Sequence, residues 1–216
     1  GLFRSFGEFR QVDIVREVQP KILVGAYGSL NQGMSSRRGR TSGDIIYLDE
    51  NFDEALPDYW KIGADLLFKF KGFTLLGEYV LTDARVPVDE IVLRVRNDGS
   101  TSNTFEGGVD AYVRGRMMLG SAFNIQAGYC FTNLWSLDFR YTRIQADENS
   151  FLNNPTFYAR SAYQDIGISK YFGRDYGAKV QFGVMRTDAD PSAISTARSS
   201  FGGSEWTFRL MTQFAI

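Results

Sequence analysis

The chain has 216 residues, with 24 Lys or Arg against 25 Asp or Glu and no His. No run approaches the roughly 18 apolar residues of a transmembrane helix, which excludes a helical membrane protein. The net charge of −1 gives no support for nucleic-acid binding through bulk charge. Without His, neither a Ser-His-Asp triad nor a His-based metal site can be built, so we expect no enzyme and no cofactor.

The N-terminal part predicts two strands followed by a long loop. Residues 9–17 alternate weakly between apolar and polar side chains, which indicates a first strand. Pro20 lacks the N–H that a sheet ladder needs and suits the first position of a strand, so a second strand is expected over residues 21–30. Residues 31–57 are mostly polar and predict a loop. Its basic run at 37–40 could meet lipopolysaccharide phosphates, although a charged loop tip is the ordinary explanation.

The clearest strand covers residues 59–70. All six residues of one parity are apolar, from Trp60 to Phe70, whereas the other parity carries Lys61 and Lys69. Successive side chains of a strand point to opposite faces. Because a Lys on a lipid-facing surface near the midplane costs about 2–4 kcal/mol, we expect the apolar face to meet lipid and the charged face to point inward.

The middle of the chain predicts a hairpin with long arms. Residues 73–81 alternate as the partner of the preceding strand and are expected to continue through 91–96 to a tip at 97–100, where Asp-Gly suits a tight turn. One parity stays apolar from 109 to 131, which predicts a single long return strand. The alternative is a turn at Gly120-Ser121.

The C-terminal part predicts four more strands, at 135–142, 158–172, 180–184 and 205–216. In the last one, Trp206, Phe208, Leu210, Phe214 and Ile216 share one parity, which only Thr212 interrupts. These segments bring the count to nine, whereas bacterial single-chain barrels close with an even number. Either further strands precede the first residue, or the first predicted strand is not a strand.

The connections alternate between short and long. The short ones are 71–72, 132–133 and 173–177, and the long ones are 31–57, 145–156 and 188–203. Outer-membrane barrels have short periplasmic turns and longer external loops. The pattern therefore predicts an all-β, antiparallel transmembrane β-barrel. A soluble β-sandwich is the alternative, since its strands alternate in the same way.

Several stretches resemble the phosphate-selective porin O/P family of Gram-negative outer membranes, in order and spacing over most of the chain. They are Val15-Arg-Glu-Val-Gln-Pro-Lys-Ile22, Ala64-Asp-Leu-Leu-Phe-Lys-Phe-Lys-Gly-Phe-Thr-Leu-Leu-Gly-Glu-Tyr79, Ile125-Gln-Ala-Gly-Tyr129, Leu137-Asp-Phe-Arg-Tyr-Thr-Arg143 and Phe208-Arg-Leu-Met-Thr-Gln-Phe214. The resemblance is to the C-terminal half of such a porin. It implies that residues 1–216 form one segment of a larger barrel of about 16–18 strands, often a homotrimer.

The resemblance also implies a pore through which small hydrophilic solutes diffuse, anions such as phosphate among them. The pore-lining candidates are the basic residues expected inside, because Arg and Lys suit anions: Lys61, Lys69, Arg114, Arg116, Arg140, Lys179 and Arg209. The acids expected inside are Asp65, Glu78, Asp110, Asp138 and Asp165. Ion pairs between the two sets are the alternative role.

The second functional hypothesis is a non-conducting structural or accessory subunit of a larger envelope complex. Expected partners are the lipid bilayer, lipopolysaccharide and small solutes.

Overall fold

The computed structural model of the chain describes residues 11–34, 44–96, 98–153, 160–174, 177–189 and 204–214. Some predictions concern residues outside these ranges, namely 9–10 of the first predicted strand, the basic run at 37–40, residues 154–156 and 190–203 of two predicted loops, residues 158–159 of a predicted strand, and Ile216.

The described residues form mostly β-strands. The strands are β1 (Lys21–Asn31), β2 (Asp44–Leu48), β3 (Asp58–Phe70), β4 (Phe73–Arg85), β5 (Leu93–Arg96), β6 (Thr101–Ser102), β7 (Gly120–Cys130), β8 (Trp135–Ala146), β9 (Arg160–Tyr171), β10 (Ala178–Ala189) and β11 (Ser204–Phe214). One short helix, α1 (Val109–Arg114), and a 3₁₀ turn (Phe151–Asn153) complete the elements.

Eight of the strands form one antiparallel sheet in the order β1-β3-β4-β7-β8-β9-β10-β11. The pairing between β3 and β4 runs without a break from Asp58↔Arg85 to Phe70↔Phe73. The predicted antiparallel β architecture is confirmed at this level. Among the described strands, β1 and β11 are the two edges and do not pair with each other, so this sheet is not closed into a barrel.

A two-residue turn joins β3 to β4, as predicted. Lys71 and Gly72 both have positive φ, 49° and 92°, which is the backbone of the tight hairpin turns that match strand twist. A Cβ on Gly72 would also collide with the carbonyl oxygen of Cys130 and the guanidinium of Arg16. Gly72 is therefore required both by the turn and by the close approach of the chain.

The second sheet lies among the long connections. It contains β2, β5 and β6, and a buried apolar cluster forms between these strands, α1 and the adjoining end of β4. The cluster consists of Tyr47, Ala55, Ala84, Ile91, Tyr112, Val113, Met117 and Leu119. The long connections on this side thus carry a compact core of their own.

The prediction of one strand from 109 to 131 is wrong in its first half. Residues Val109–Arg114 form α1, and the sheet strand begins only at Gly120, the site of the alternative turn. Val109, Val113 and Met117 explain the error. Positions four apart lie on one face of a helix but also share a strand parity, so a helical stripe can be counted as strand alternation.

Three other expectations are corrected. Residues 91–96 do not extend β4, because β5 pairs with β2 and β6 in the second sheet. The stretch 31–57 is not only loop, since it contains β2. The described part of the first predicted strand, 11–17, is not a strand but a series of turns and bends. Without this segment, the large sheet has eight strands, an even number. This agrees with the second explanation of the odd count, that the first predicted strand is not a strand.

Candidate pore surface

The eight-stranded sheet separates its side chains into an apolar face and a polar face. On the apolar face, cross-strand pairing sets Leu137 beside Ile168, Ile168 beside Phe182, and Phe182 beside Leu210. All four are exposed, and Leu210 retains 72% of its accessible surface. A contiguous exposed apolar surface of this extent marks an interaction site with lipid or protein.

Aromatic side chains line one margin of the apolar face, at the end of the sheet with the short turns. The exposed ones are Phe73, Tyr129, Phe131, Trp135, Phe172 and Phe214. The ammonium group of Lys170 lies 5.6 Å from the centre of the Trp135 ring. Such belts of aromatic rings with nearby cations occur where a membrane protein crosses the headgroup region.

The polar face carries hydrogen-bonded charges. Nη2 of Arg140 donates to Oδ2 of Asp165 on the neighbouring strand at 2.8 Å. One row further along, Nδ2 of Asn124 donates to Oε2 of Glu78 at 2.9 Å, and Oγ1 of Thr142 donates to Oδ1 of Asn124 at 2.8 Å. Neighbouring strands are thus tied together by side chains as well as by backbone, as cross-strand polar pairs do in other sheets.

A cleft lies on the polar face of β7 to β11. Its polar lining consists of Gln11, Gln126, Asp138, Arg140, Asp165, Gln181 and Arg209. Nζ of Lys179 donates to Oε1 of Gln181 at 3.1 Å beside it. Asp138 lies against Gly128 of the paired strand, where any Cβ would collide with its carboxylate. The cleft therefore presents both signs of charge and amide groups to whatever occupies it.

Five of the seven predicted pore-lining residues lie on the polar face: Lys61, Lys69, Arg140, Lys179 and Arg209. Arg140 and Arg209 line the cleft. Lys69 is only 2% exposed, so it does not face open solvent. Of the five acids expected on this face, four lie there: Asp65, Glu78, Asp138 and Asp165. The fifth, Asp110, lies in α1 instead.

Arg114 and Arg116 are not on the sheet, contrary to the strand that was predicted for them. Arg114 ends α1, and its Nη2 lies 2.8 Å from Oδ1 of Asp83 and 2.9 Å from Oδ2 of Asp147. Burial lowers the pKa of the Arg114 guanidinium, but the hydrogen bonds to these two carboxylates outweigh it and hold the pKa above its ordinary value. Arg116 lies 3.5 Å from the centre of the Tyr112 ring. Both arginines therefore stabilise the second core.

Residues 11–20, which we call the N-terminal strap, form a feature that the sequence reading missed. Asp13 is 1% exposed, and its carboxylate accepts hydrogen bonds from the N–H groups of Gly72 (2.7 Å) and Glu17 (3.0 Å). Ile14 is buried in a cluster with Cys130 and Tyr171. The weak alternation of this segment concealed the strap. A usable signal was Asp13 itself, since an Asp side chain often binds a backbone N–H a few residues further on.

The described residues contain no group of three or more acidic or Cys side chains that could hold a metal ion. No described helix is long and apolar enough to cross a membrane. No protein-family model, curated protein or solved structure matches this chain. The function is therefore inferred from the sheet itself.

Proposed function

We propose that the chain forms part of the wall of a β-barrel channel in the outer membrane of a Gram-negative bacterium, through which small hydrophilic solutes diffuse. The observation that carries the proposal is the pairing of one exposed apolar face with one charged face on a single antiparallel sheet. Hydrocarbon would contact the first face and water the second. Further strands between the edges β1 and β11 would complete the wall.

The dimensions of the sheet support this proposal. The strands of the large sheet have 11–13 residues, slightly more than the roughly 9–11 residues that cross a bilayer when tilted. The eight steps from Trp206 to Phe214 span about 26 Å at about 3.3 Å per residue. At a tilt of about 40° this distance is about 20 Å along the membrane normal, close to the apolar band of about 25 Å in outer-membrane barrels.

The energetic comparison points in the same direction. If the faces were reversed, Lys61, Arg140 and Arg209 would meet lipid, and each would cost about 2–4 kcal/mol near the midplane. In a soluble sandwich the apolar face would need a second sheet to cover it. The described residues supply no such cover, because Phe208 and Phe214 of β11 stay exposed.

Anion selectivity, including a preference for phosphate, is the finer part of the proposal. Of the predicted inward charges, five bases and four acids lie on the polar face, and the pair Arg140–Asp165 neutralises one of each. Arg209 and Lys179 then supply the positive charge nearest the cleft. We propose a weak preference for anions. Lipopolysaccharide contacts and assembly as a homotrimer belong to the same proposal.

Planar-bilayer recording of the purified protein tests the channel. We expect discrete conductance steps. Under a salt gradient, the reversal potential should indicate a slight preference for anions over cations. Heat-modifiable migration in gels provides an independent test of the barrel. Intact protein that shows the migration shift but no conductance steps would overturn the channel and support the second candidate function.

That second candidate is a non-conducting structural or accessory subunit of a larger envelope complex. The specific observation in its favour is that charges on the polar face are paired across strands, as between Arg140 and Asp165. A lumen filled with such pairs would hold the barrel rigid without passing solutes. Co-purification of the barrel with a stoichiometric envelope partner would support this candidate.

A further inference from the structure

The N-terminal strap crosses the large sheet from one edge to the other at the end with the short turns. Traced from β1 towards the N-terminus, the strap starts at Pro20. The carbonyl of Glu17 accepts a hydrogen bond from the N–H of Lys71 at the β3–β4 turn (2.9 Å). Further back, Ile14 packs on the ends of β7 and β9. Gln11 finally reaches the cleft beside Arg209 on β11.

The strap is seated on the polar face of the sheet. The N–H of Asp13 donates to Oγ1 of Thr74 at 3.1 Å. Thr74, Cys130 and Tyr171 all have the strand parity of the polar face, and all three are buried. In the barrel proposed above, this face is the lumen, and the strap lies within its short-turn mouth.

Hydrogen bonds made by the Asp13 and Arg16 side chains fix the strap in this position. The Asp13 carboxylate binds N–H groups both within the strap and on the β3–β4 turn. At the rim, the Arg16 guanidinium donates to the carbonyl oxygen of Cys130 and, at 3.1 Å, to the hydroxyl of Tyr129. Because Asp13 and Arg16 are satisfied by fixed partners, the strap presents little free charge to a passing solute.

We infer that the N-terminal strap forms a constriction of the channel that limits solutes by size, whereas the charges of the wall set the weak preference for anions. This inference rests on the proposed function. At the short-turn end, the strap covers part of the polar face and leaves open the cleft between Gln11 and the wall that carries Arg140 and Arg209. A solute crossing the short-turn mouth along this part of the wall would pass through this cleft.

A disulfide tests the placement of the strap without reference to conduction. Cys130 is the protein's one cysteine, and it packs against Ile14. We expect Ile14→Cys to form a disulfide with Cys130 under mild oxidation in native protein, detected by mass spectrometry. Val15→Cys is the matched control, because Val15 is half exposed and lies outside this cluster. Equal cross-linking of the two variants, or none of Ile14→Cys, would overturn the placement.

The constriction is then tested in one protein under two redox conditions. Asp13→Ala is combined with Ile14→Cys, so that the disulfide holds the strap in place and reduction releases it. We expect the single-channel conductance to rise at least twofold on reduction, and larger neutral sugars to enter the pore. Ile14→Cys combined with Cys130→Ser should show no redox response. Where Asp13→Ala does not fold, Arg16→Ala replaces it.

The outcomes separate the two proposals. Conductance that is the same in the oxidised and reduced states would overturn the constriction while the channel stands. The absence of conductance in both states, with the disulfide formed and the heat-modifiable migration intact, would overturn the channel and the constriction together, leaving only the observed placement of the strap.

Discussion

The substitution Leu210→Lys tests the physical basis of the proposed membrane orientation. Leu210 lies on the apolar face of β11, 72% exposed. It is four residues from Trp206 and four from Phe214, or about 13 Å along the strand from each ring. In the proposed barrel, that position would be in the middle of the bilayer, where a Lys on the lipid face costs about 2–4 kcal/mol.

Met211→Lys is the matched control, because Met211 is the next residue of the same strand and lines the cleft on the polar face. A Lys there would remain in water, and surface substitutions of this kind usually change stability by no more than about 0.5 kcal/mol. We therefore expect Leu210→Lys to lower the free energy of unfolding by about 2 kcal/mol or more relative to Met211→Lys.

Urea unfolding of the protein in phospholipid vesicles, followed by tryptophan fluorescence, measures both values. Equal stability of the two variants, or a more stable Leu210→Lys protein, would show that the apolar face does not meet hydrocarbon. Folding of the unmodified protein as a monodisperse species without detergent would lead to the same conclusion and favour the soluble β-sandwich.

Three further predictions use the same preparation. Arg114→Ala should lower the free energy of unfolding by about 1–2 kcal/mol, less than for a fully buried ion pair because its carboxylate partners are partly exposed; a loss below about 0.5 kcal/mol would contradict it. Gly63→Ala should lower the free energy of unfolding by about 1–3 kcal/mol, because the new Cβ would collide with the ring of Tyr27. Gly77→Ala is the control and should cost little, because there is open space around Gly77. In bilayers under a salt gradient, Arg140→Gln should move the reversal potential towards cation preference and Asp165→Asn towards anion preference; identical shifts would argue that neither residue lines the lumen.

Local patterns in the sequence predicted much of the large sheet. Residues 59–70 were predicted to within one residue of β3, because period-two alternation between Trp60 and Phe70 has no competing explanation. The turn at 71–72 and the position of the last strand were predicted for the same reason. Parity alone also places Arg140 and Arg209 on one face, and the structure has both beside the same cleft.

What local patterns could not supply was the partner of each segment. Residues 91–96 alternate well enough to continue β4, but their hydrogen bonds go to β2, which lies more than 40 residues earlier in the chain. The sequence does not distinguish helix α1 from a strand, because Val109 and Val113, with Met117 just beyond the helix, satisfy the helical and strand periods together. Arg114 and Arg116 were therefore assigned to a strand, whereas they stabilise a second core.

The sequence by itself determined which face of each sheet strand is apolar, because alternation depends only on the covalent geometry of an extended chain. The tertiary structure decided how the remaining segments are used. The burial of Asp13 and Ile14 against the ends of three distant strands depends on contacts more than 50 residues apart. No local periodicity records such contacts, because they join residues that are far apart along the chain.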